Sequence, residues 1–395
     1  MNRRTFIKNV ALASAATLTP DFLRSAAPYL SPEGARGKVL VVIQLAGGND
    51  GLNTLVPFRN DEYYLQRPNL SLSKSEIIPL SDDYALNIRL SALRNLYDEG
   101  FMSVYQNVGY PNPDRSHFRS LDIWNTASNS DEYFQSGWLG RYIDHTCVGC
   151  TKPHMAIELD DALSLALKGE RVQGLAVSRP DRMGKAMSGE LMSDLMKAGP
   201  ADADELSYLY KTLSDAGRSV EYLVSQAKKG KVQTVFPSTN FGNDLKMIAT
   251  LVNSGCETSV YYVSLSGFDT HNNQKNRQAK LLLEYADGLA AFYKELKTSG
   301  HWKDTLVLTF SEFGRRVQQN ASQGTDHGKA NCLFLAGGGL KNPGLFNTEI
   351  DLTNLDEGDL PYKTDFREIY SSVLSQWLHA DAEKILQRPF KEIIL

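Results

Sequence analysis

The 395-residue chain carries 42 basic and 46 acidic residues, a net charge of −4, with 42% hydrophobic and 22% charged residues. That is globular composition, long enough for one large core or two domains, and it excludes general disorder. A dispersed negative balance also excludes nucleic acid as a partner, because phosphate binding needs a basic stripe.

The first stretch, MNRRTFIKNVALASAATLTP, sets Arg3 and Arg4 before Phe6 and Lys8, follows with a mildly apolar, Ala-rich run, and leads to small residues at Ser25 to Ala27. A basic region, a short apolar region and small residues in that order read as a twin-arginine export signal over residues 1–27. Removing those residues takes away four basic residues and one acid and leaves a net charge of −7. No segment reaches the ~20 apolar residues that a membrane span needs. The expectation is an exported protein, periplasmic or secreted, handled by the twin-arginine machinery.

In chain order, the apolar runs Val39 to Leu45, Met102 to Gly109, Val260 to Gly267, Thr305 to Phe310 and Cys332 to Gly338 are short, β-branched or aromatic, and bounded by turn residues. They read as strands buried on both faces. Helical patterns lie between them: LSALRNLYDEG, AKLLLEYADGLAAFYKELKTSG and DFREIYSSVLSQWL. This alternation predicts an α/β fold, a mostly parallel central sheet with helices on both faces. Residues around 190–253 break the alternation and read as a helical insertion or cap on a domain spanning 28–395. Cys147 and Cys150 in CVGC read as a local disulfide, and Cys256 and Cys332 as buried small hydrophobes.

In an open parallel sheet a ligand site lies beyond the carboxyl ends of the strands, and the polar clusters fall there. After the first strand, AGGNDGLNTLVP offers Asp50 either as a cation ligand or as the hydrogen-bonding residue of a glycine turn. After the second, GYPNPDRSHFRS starts a helix near Ser116. Ser116 is either a plain N-cap or a hydroxyl in a field that favours an alkoxide and an incoming anion, with Arg115, His117 and Arg119 adding charge and proton-transfer capacity. SGFDTHNNQ places Asp269 and His271 two residues apart, so that in extended chain both face one side and reach one metal. TLVLTFSEFGRR places Glu312, a ligand or a counter-charge, before Arg315 and Arg316, and TDHGKA places Asp326 and His327 before an apolar strand. His145, His154, His301 and His379 lack this combination of acid, strand end and glycine turn.

The segments RRTFIK, LAGGNDGLNTLVP, LYDEGFMSVYQNVGYPNPDRSHFRSLDIW, GWLGRY, GFDTHNNQ, SEFGRR and GTDHGKA together resemble the exported bacterial family catalogued as domain of unknown function 1501, over nearly the whole chain. That family resembles a branch of the alkaline phosphatase and sulfatase superfamily, which implies an alkaline phosphatase-like fold. It also implies hydrolysis of phosphate or sulfate esters, small-molecule or carbohydrate, by a hydroxyl nucleophile and one or two divalent metals. Carried over by residue, Ser116 lies where the nucleophile opens a helix. Asp269, His271 and His327 resemble one metal site, which suits zinc, and Asp50 matches the aspartate after the first strand. Arg115, Arg119 or Arg315 would clamp anion oxygens.

Two departures stand out. The superfamily commonly has Ser-Asp-His-Gly where this chain has Ser311, Glu312, Phe313 and Gly314, so a histidine is replaced by Phe313. The spacing from Asp269 to His271 is shorter than the usual four residues. A second metal would rest on Asp50, Glu312 and Ser116, oxygen donors suited to Mg, Mn or Ca, with His117 supplying the missing nitrogen. The expected function is an exported metal-dependent ester hydrolase. The alternative is a relative without catalysis that serves as an exported binding or assembly protein.

Overall fold

The computed structural model describes residues 37–147, 152–180, 184 and 204–395. The expected export signal over 1–27, Cys150, and the stretch 190–203 of the expected insertion lie outside the described residues. Lys38–Leu395 form one compact unit.

Within it the described residues build a nine-stranded sheet from β1 (Val39–Ala46), β2 (Met102–Gly109), β3 (Ala156–Glu158), β4 (Leu175–Ala176), β5 (Val260–Ser266), β6 (Thr305–Phe310), β7 (Asn331–Gly337), β8 (Gly344–Phe346) and β9 (Thr364–Asp365). The order is β8-β2-β7-β6-β1-β5-β3-β4, with β9 paired to β2. Five of these strands match the apolar runs of the sequence to within a residue at each end. They form because most positions are apolar or β-branched, so that both faces can be buried. In β1, Val39, Val41, Ile43 and Leu45 join one core with Leu245, Tyr285 and Phe292. Leu40 and Val42, on the alternate positions, join a second core with Trp124, Trp138 and Tyr370. Each fully buried aliphatic side chain contributes about 1.5–3 kcal/mol.

Helices cover both faces accordingly. On the first lie α3 (Asp204–Lys229), α4 (Asn240–Asn253) and α5 (Gln274–Thr298), whose Leu223, Leu245, Ile248, Leu282 and Leu289 enter that core. On the second lie α1 (His117–Thr126), α2 (Trp138–Thr146) and α6 (Phe366–Ser372). The described part of the expected helical insertion, α3 and α4, is therefore a layer on the sheet and not a lobe standing off it. Cys147 is disulfide-bonded, and Cys256 and Cys332 are free and buried. Among the described residues no helix is long and apolar enough to cross a membrane.

One strand direction decides where the site forms. Within this sheet all pairings are parallel except those of β7, which runs antiparallel to both β2 and β6. The segment that precedes β7 therefore lies at the same sheet edge as the segments that follow β1, β2, β5 and β6.

Candidate metal centre

Four loops meet at that edge, and glycines let them close. Gly47, at φ +120°, sits where a Cβ would lie 2.3 Å from the backbone nitrogen of Asp269. Any side chain there would separate the β1 and β5 loops. Gly328 likewise lies against Arg315, where a Cβ would come 2.6 Å from its carbonyl carbon, and His327 pairs with Arg315 as an isolated antiparallel bridge.

The loops bring His117, Asp269 and His327 together, with one donor atom from each lying within 4.8 Å of the others. His327 Nδ1 is 2.8 Å from the Arg115 carbonyl, and its Nε2 is 3.2 Å from Asp269 Oδ1. His271 Nε2 stands 3.0 Å from His327 Nε2 and 3.0 Å from Asp269 Oδ1, and its Nδ1 is 3.4 Å from Asp326. His117 turns Nδ1 to Glu312 Oε1 at 3.0 Å and Nε2 to Asp269 Oδ2 at 3.6 Å.

Proton positions follow from these partners. A carbonyl only accepts, so His327 carries its proton on Nδ1. Burial lowers the His327 pKa, helped by the charges of Arg315 and His117 and opposed by the Arg115 carbonyl and Asp269. Burial alone would raise the Asp269 carboxyl; the hydrogen bond from Arg315, the contact with His327 and the charges of Arg315 and His271 outweigh it and bring the group down to about 2. A neutral His327 thus aims the Nε2 lone pair at an ionised carboxylate oxygen. His271 Nε2 stands 3.0 Å from both atoms, so an Nε2–H there, or a bound cation, fills the space between the two acceptors. The hydrogen bond to Glu312 raises the His117 pKa, reinforced by the charges of Glu312 and Asp269 and opposed by burial and Arg315. That bond directs Nε2 toward Asp269, the arrangement by which a carboxylate behind a histidine orients a metal ligand. Two imidazoles and a carboxylate fit zinc.

Ser116 is the N-cap residue of α1 but makes no side-chain cap bond; its backbone N–H donates to Asp114 Oδ1 at 2.6 Å. Its hydroxyl is exposed, and its two chain neighbours are both anchored to the cluster, Arg115 through its carbonyl and His117 through its ring.

His271, expected as a ligand with Asp269 and His327, has Nε2 3.0 Å from the facing atom of each and lies within reach of the same cation; the remaining expected site residues are placed differently. Asp50 is not at the cluster: its buried carboxylate pairs with buried Arg67 at 2.5 Å, accepts from Gln274, and caps the turn at Leu52 N–H. Glu312 is not among the converging donors, because its Oε1 accepts from the Gly47 N–H at 2.8 Å and backs His117. Arg119 spends Nη2 on the carbonyls of Asn129, Ser130 and Glu132 and stacks over Tyr133 at 3.9 Å, which turns it from any anion at the cluster. Buried Arg315 donates to the carbonyls of Gly47, Gly48, Phe268 and Thr325 and to Asp269 Oδ1, so it ties the loops together and leaves no fork for an anion. The Arg115 guanidinium pairs with Asp359 at 2.6 Å and Glu357 at 3.2 Å. With Asp50 and Glu312 committed elsewhere, the oxygen set expected for a second hard cation does not assemble. Phe313 is buried with its ring 4.9 Å from that of His117 and 4.4 Å from that of His327, an apolar wall behind the two imidazoles.

A turn absent from the sequence reading also borders the site. Asp356 and Asp359 pair across Glu357 and Gly358, both at positive φ, as in a type I′ hairpin turn. The turn sets three carboxylates against Arg115, Arg316 and Lys329. The run DEGD was its available signal: acids flanking a turn glycine.

Residues 103–356 match the family described as "Protein of unknown function (DUF1501)", and the chain belongs to it. No curated protein sequence matches the chain. Among solved structures it is similar to the C-terminal periplasmic domain of EcEptC from Escherichia coli, with a TM-score of 0.42 and 13% identity over 92% of this chain and 89% of that one. It is also similar to the PsFucS1 sulfatase from Pseudoalteromonas sp., with a TM-score of 0.42 and 13% identity over 93% of this chain and 73% of that one. A mutant of the alkaline phosphatase PafA gives a TM-score of 0.34 and 11% identity over 71% and 64% of the two chains. Identities this low leave activity to be read from the site itself.

Proposed function

For this member of a family of unknown function, we propose an exported, metal-dependent hydrolase of phosphate or sulfate esters. The observation that carries the reading is the convergence of His117, Asp269 and His327 at the strand ends, with one atom of each able to bind a metal within 4.8 Å of the others. His117, Asp269 and His327 would hold the metal, and zinc suits them. When bound it supplies Lewis acidity, polarising an ester oxygen and acidifying a hydroxyl. Ser116 is the nucleophile: its hydroxyl is spared from capping, exposed, and at the amino end of a ten-residue helix whose field favours negative charge. Glu312 fixes the His117 ring. His271, half-exposed at the rim and 3.0 Å from Asp269 Oδ1, is placed to carry a proton between the site and solvent.

Turnover of 4-nitrophenyl phosphate and 4-nitrophenyl sulfate, with and without zinc, tests this. The reading expects zinc-dependent turnover that falls at least about a thousandfold in Ser116→Ala; full activity in Ser116→Ala overturns it. Export through residues 1–27 is tested by a secreted reporter fused to that segment, whose export should stop when Arg3 and Arg4 become Lys.

One observation favours the non-catalytic reading: Arg119 and Arg315, the expected anion clamps, are committed to protein partners. That reading expects zinc binding with no turnover of either ester, and zinc-dependent turnover lost in His327→Ala excludes it.

A further inference from the structure

Beside the candidate metal centre lies a notch in which three cations meet three carboxylates. Glu357 Oε2 is 3.2 Å from Arg115 Nη2 and 3.4 Å from Lys329 Nζ, a single carboxylate oxygen between two cations. Arg115 directly precedes Ser116, and Lys329 lies two residues beyond His327, so both cations are anchored to chain that builds the site. The other two carboxylates of the turn serve one side each. Buried Asp359 pairs with Arg115 at 2.6 Å, with Arg316 3.8 Å away, and Asp356 pairs with Lys329 at 2.6 Å. These hold the cations in place whether or not Glu357 is present.

Glu357 differs from its neighbours. It is 73% exposed at a hairpin tip, whereas the Lys329 side chain it meets is only 11% exposed. It also adopts φ +55°, a left-handed conformation that Gly, Asn and Asp take readily and Glu does not. An exposed carboxylate on a strained tip gains little from its ion pairs and is readily displaced. With Glu357 swung away, Arg115 keeps Asp359 and Lys329 keeps Asp356, but the three cations Arg115, Arg316 and Lys329 then face two carboxylates, and the unbalanced positive charge draws an anion into the vacated place.

We propose that the notch between Arg115 and Lys329 is a second anion subsite, filled in the resting protein by Glu357. It takes a further phosphate, sulfate or carboxylate group carried by the ester that reacts at the metal centre. The substrate is therefore an ester with at least two anionic groups. The identity of that ester rests on the hydrolase reading; binding of paired anions is measurable without turnover.

Calorimetric titration of the zinc-loaded protein with propane-1,3-disulfonate, propane-1-sulfonate and inorganic sulfate tests the subsite. The disulfonate should bind about tenfold more tightly than either single anion, the gain of one charge-assisted contact. Glu357→Gln should tighten the disulfonate severalfold and leave the monosulfonate unchanged, and Lys329→Gln should erase the preference. Equal binding of the three anions, a Glu357→Gln protein with unchanged or weaker disulfonate affinity, or inorganic sulfate showing the same Glu357 dependence as the disulfonate would overturn it. A disulfonate preference that responds to both variants in a protein turning over no ester upholds the subsite and removes the hydrolase reading. Zinc-dependent turnover without the preference does the reverse.

Discussion

His327 and Asp269 face each other acceptor to acceptor: the imidazole gives its one proton to the Arg115 carbonyl, and its other nitrogen lies 3.2 Å from a carboxylate oxygen. In the proposed centre a cation between them would make two bonds, which would link metal and fold. Zinc at about a hundred times its Kd should stabilise the protein by about 2.7 kcal/mol. Thermal unfolding with and without a chelator checks this, and His327→Ala should abolish the difference while leaving the chelated protein's Tm nearly unchanged.

In the proposed centre Glu312 would act on the metal through His117, whose Nδ1 it meets at 3.0 Å. Replacing its carboxylate by an amide keeps the shape and weakens the grip on the ring. Glu312→Gln should lower zinc affinity about 10–100-fold, read by competition against a chromophoric chelator, with stoichiometry unchanged. Loss of all binding would make Glu312 a ligand.

Asp50 separates a structural acid from a metal ligand. Its ion pair with Arg67 is buried on both sides, and removing one member strands the other charge. Asp50→Ala should cost about 3–5 kcal/mol in denaturant unfolding and leave zinc per folded chain unaltered. Lost zinc with intact stability would place Asp50 at the metal.

The strand pattern and the cluster were largely legible in the sequence, because long apolar runs flanked by turn residues admit few other structures. Asp269, His271 and His327 were legible for the same reason: each sits beside such a run. Direction was not. Nothing in NCLFLAGG marks β7 as antiparallel, yet that reversal brings His327, which precedes a strand, to residues that follow strands. Side-chain partners were also hidden. Residue type nominates Asp50, Glu312, Arg119 and Arg315 as ligands and clamps, but whether a carboxylate or guanidinium is already satisfied depends on groups far away in sequence. Arg67 stands 17 residues from Asp50, and the Gly47 N–H stands 265 from Glu312.

Glu158, buried at the carboxyl end of β3, gives the fold a pH dependence of its own. Burial pushes its carboxyl up from 4.5 to about 7, against the lowering effect of the Ser164 N–H, which donates to it at 2.6 Å. The folded state thus favours the protonated acid. Its contribution to stability is complete below the unfolded value of 4.5 and is lost as pH rises through about 7. Tm measured across that interval should fall for the wild type more steeply than for Glu158→Gln, which stays neutral; parallel curves would show that Glu158 titrates alike in both states.

The metal centre itself is tested most directly by anomalous diffraction at the zinc edge from crystals grown with zinc. The account predicts one strong peak about 2.0–2.2 Å from His117 Nε2, an Asp269 carboxylate oxygen and His327 Nε2. No peak there, or a peak held instead by Asp50 and Glu312, would contradict it.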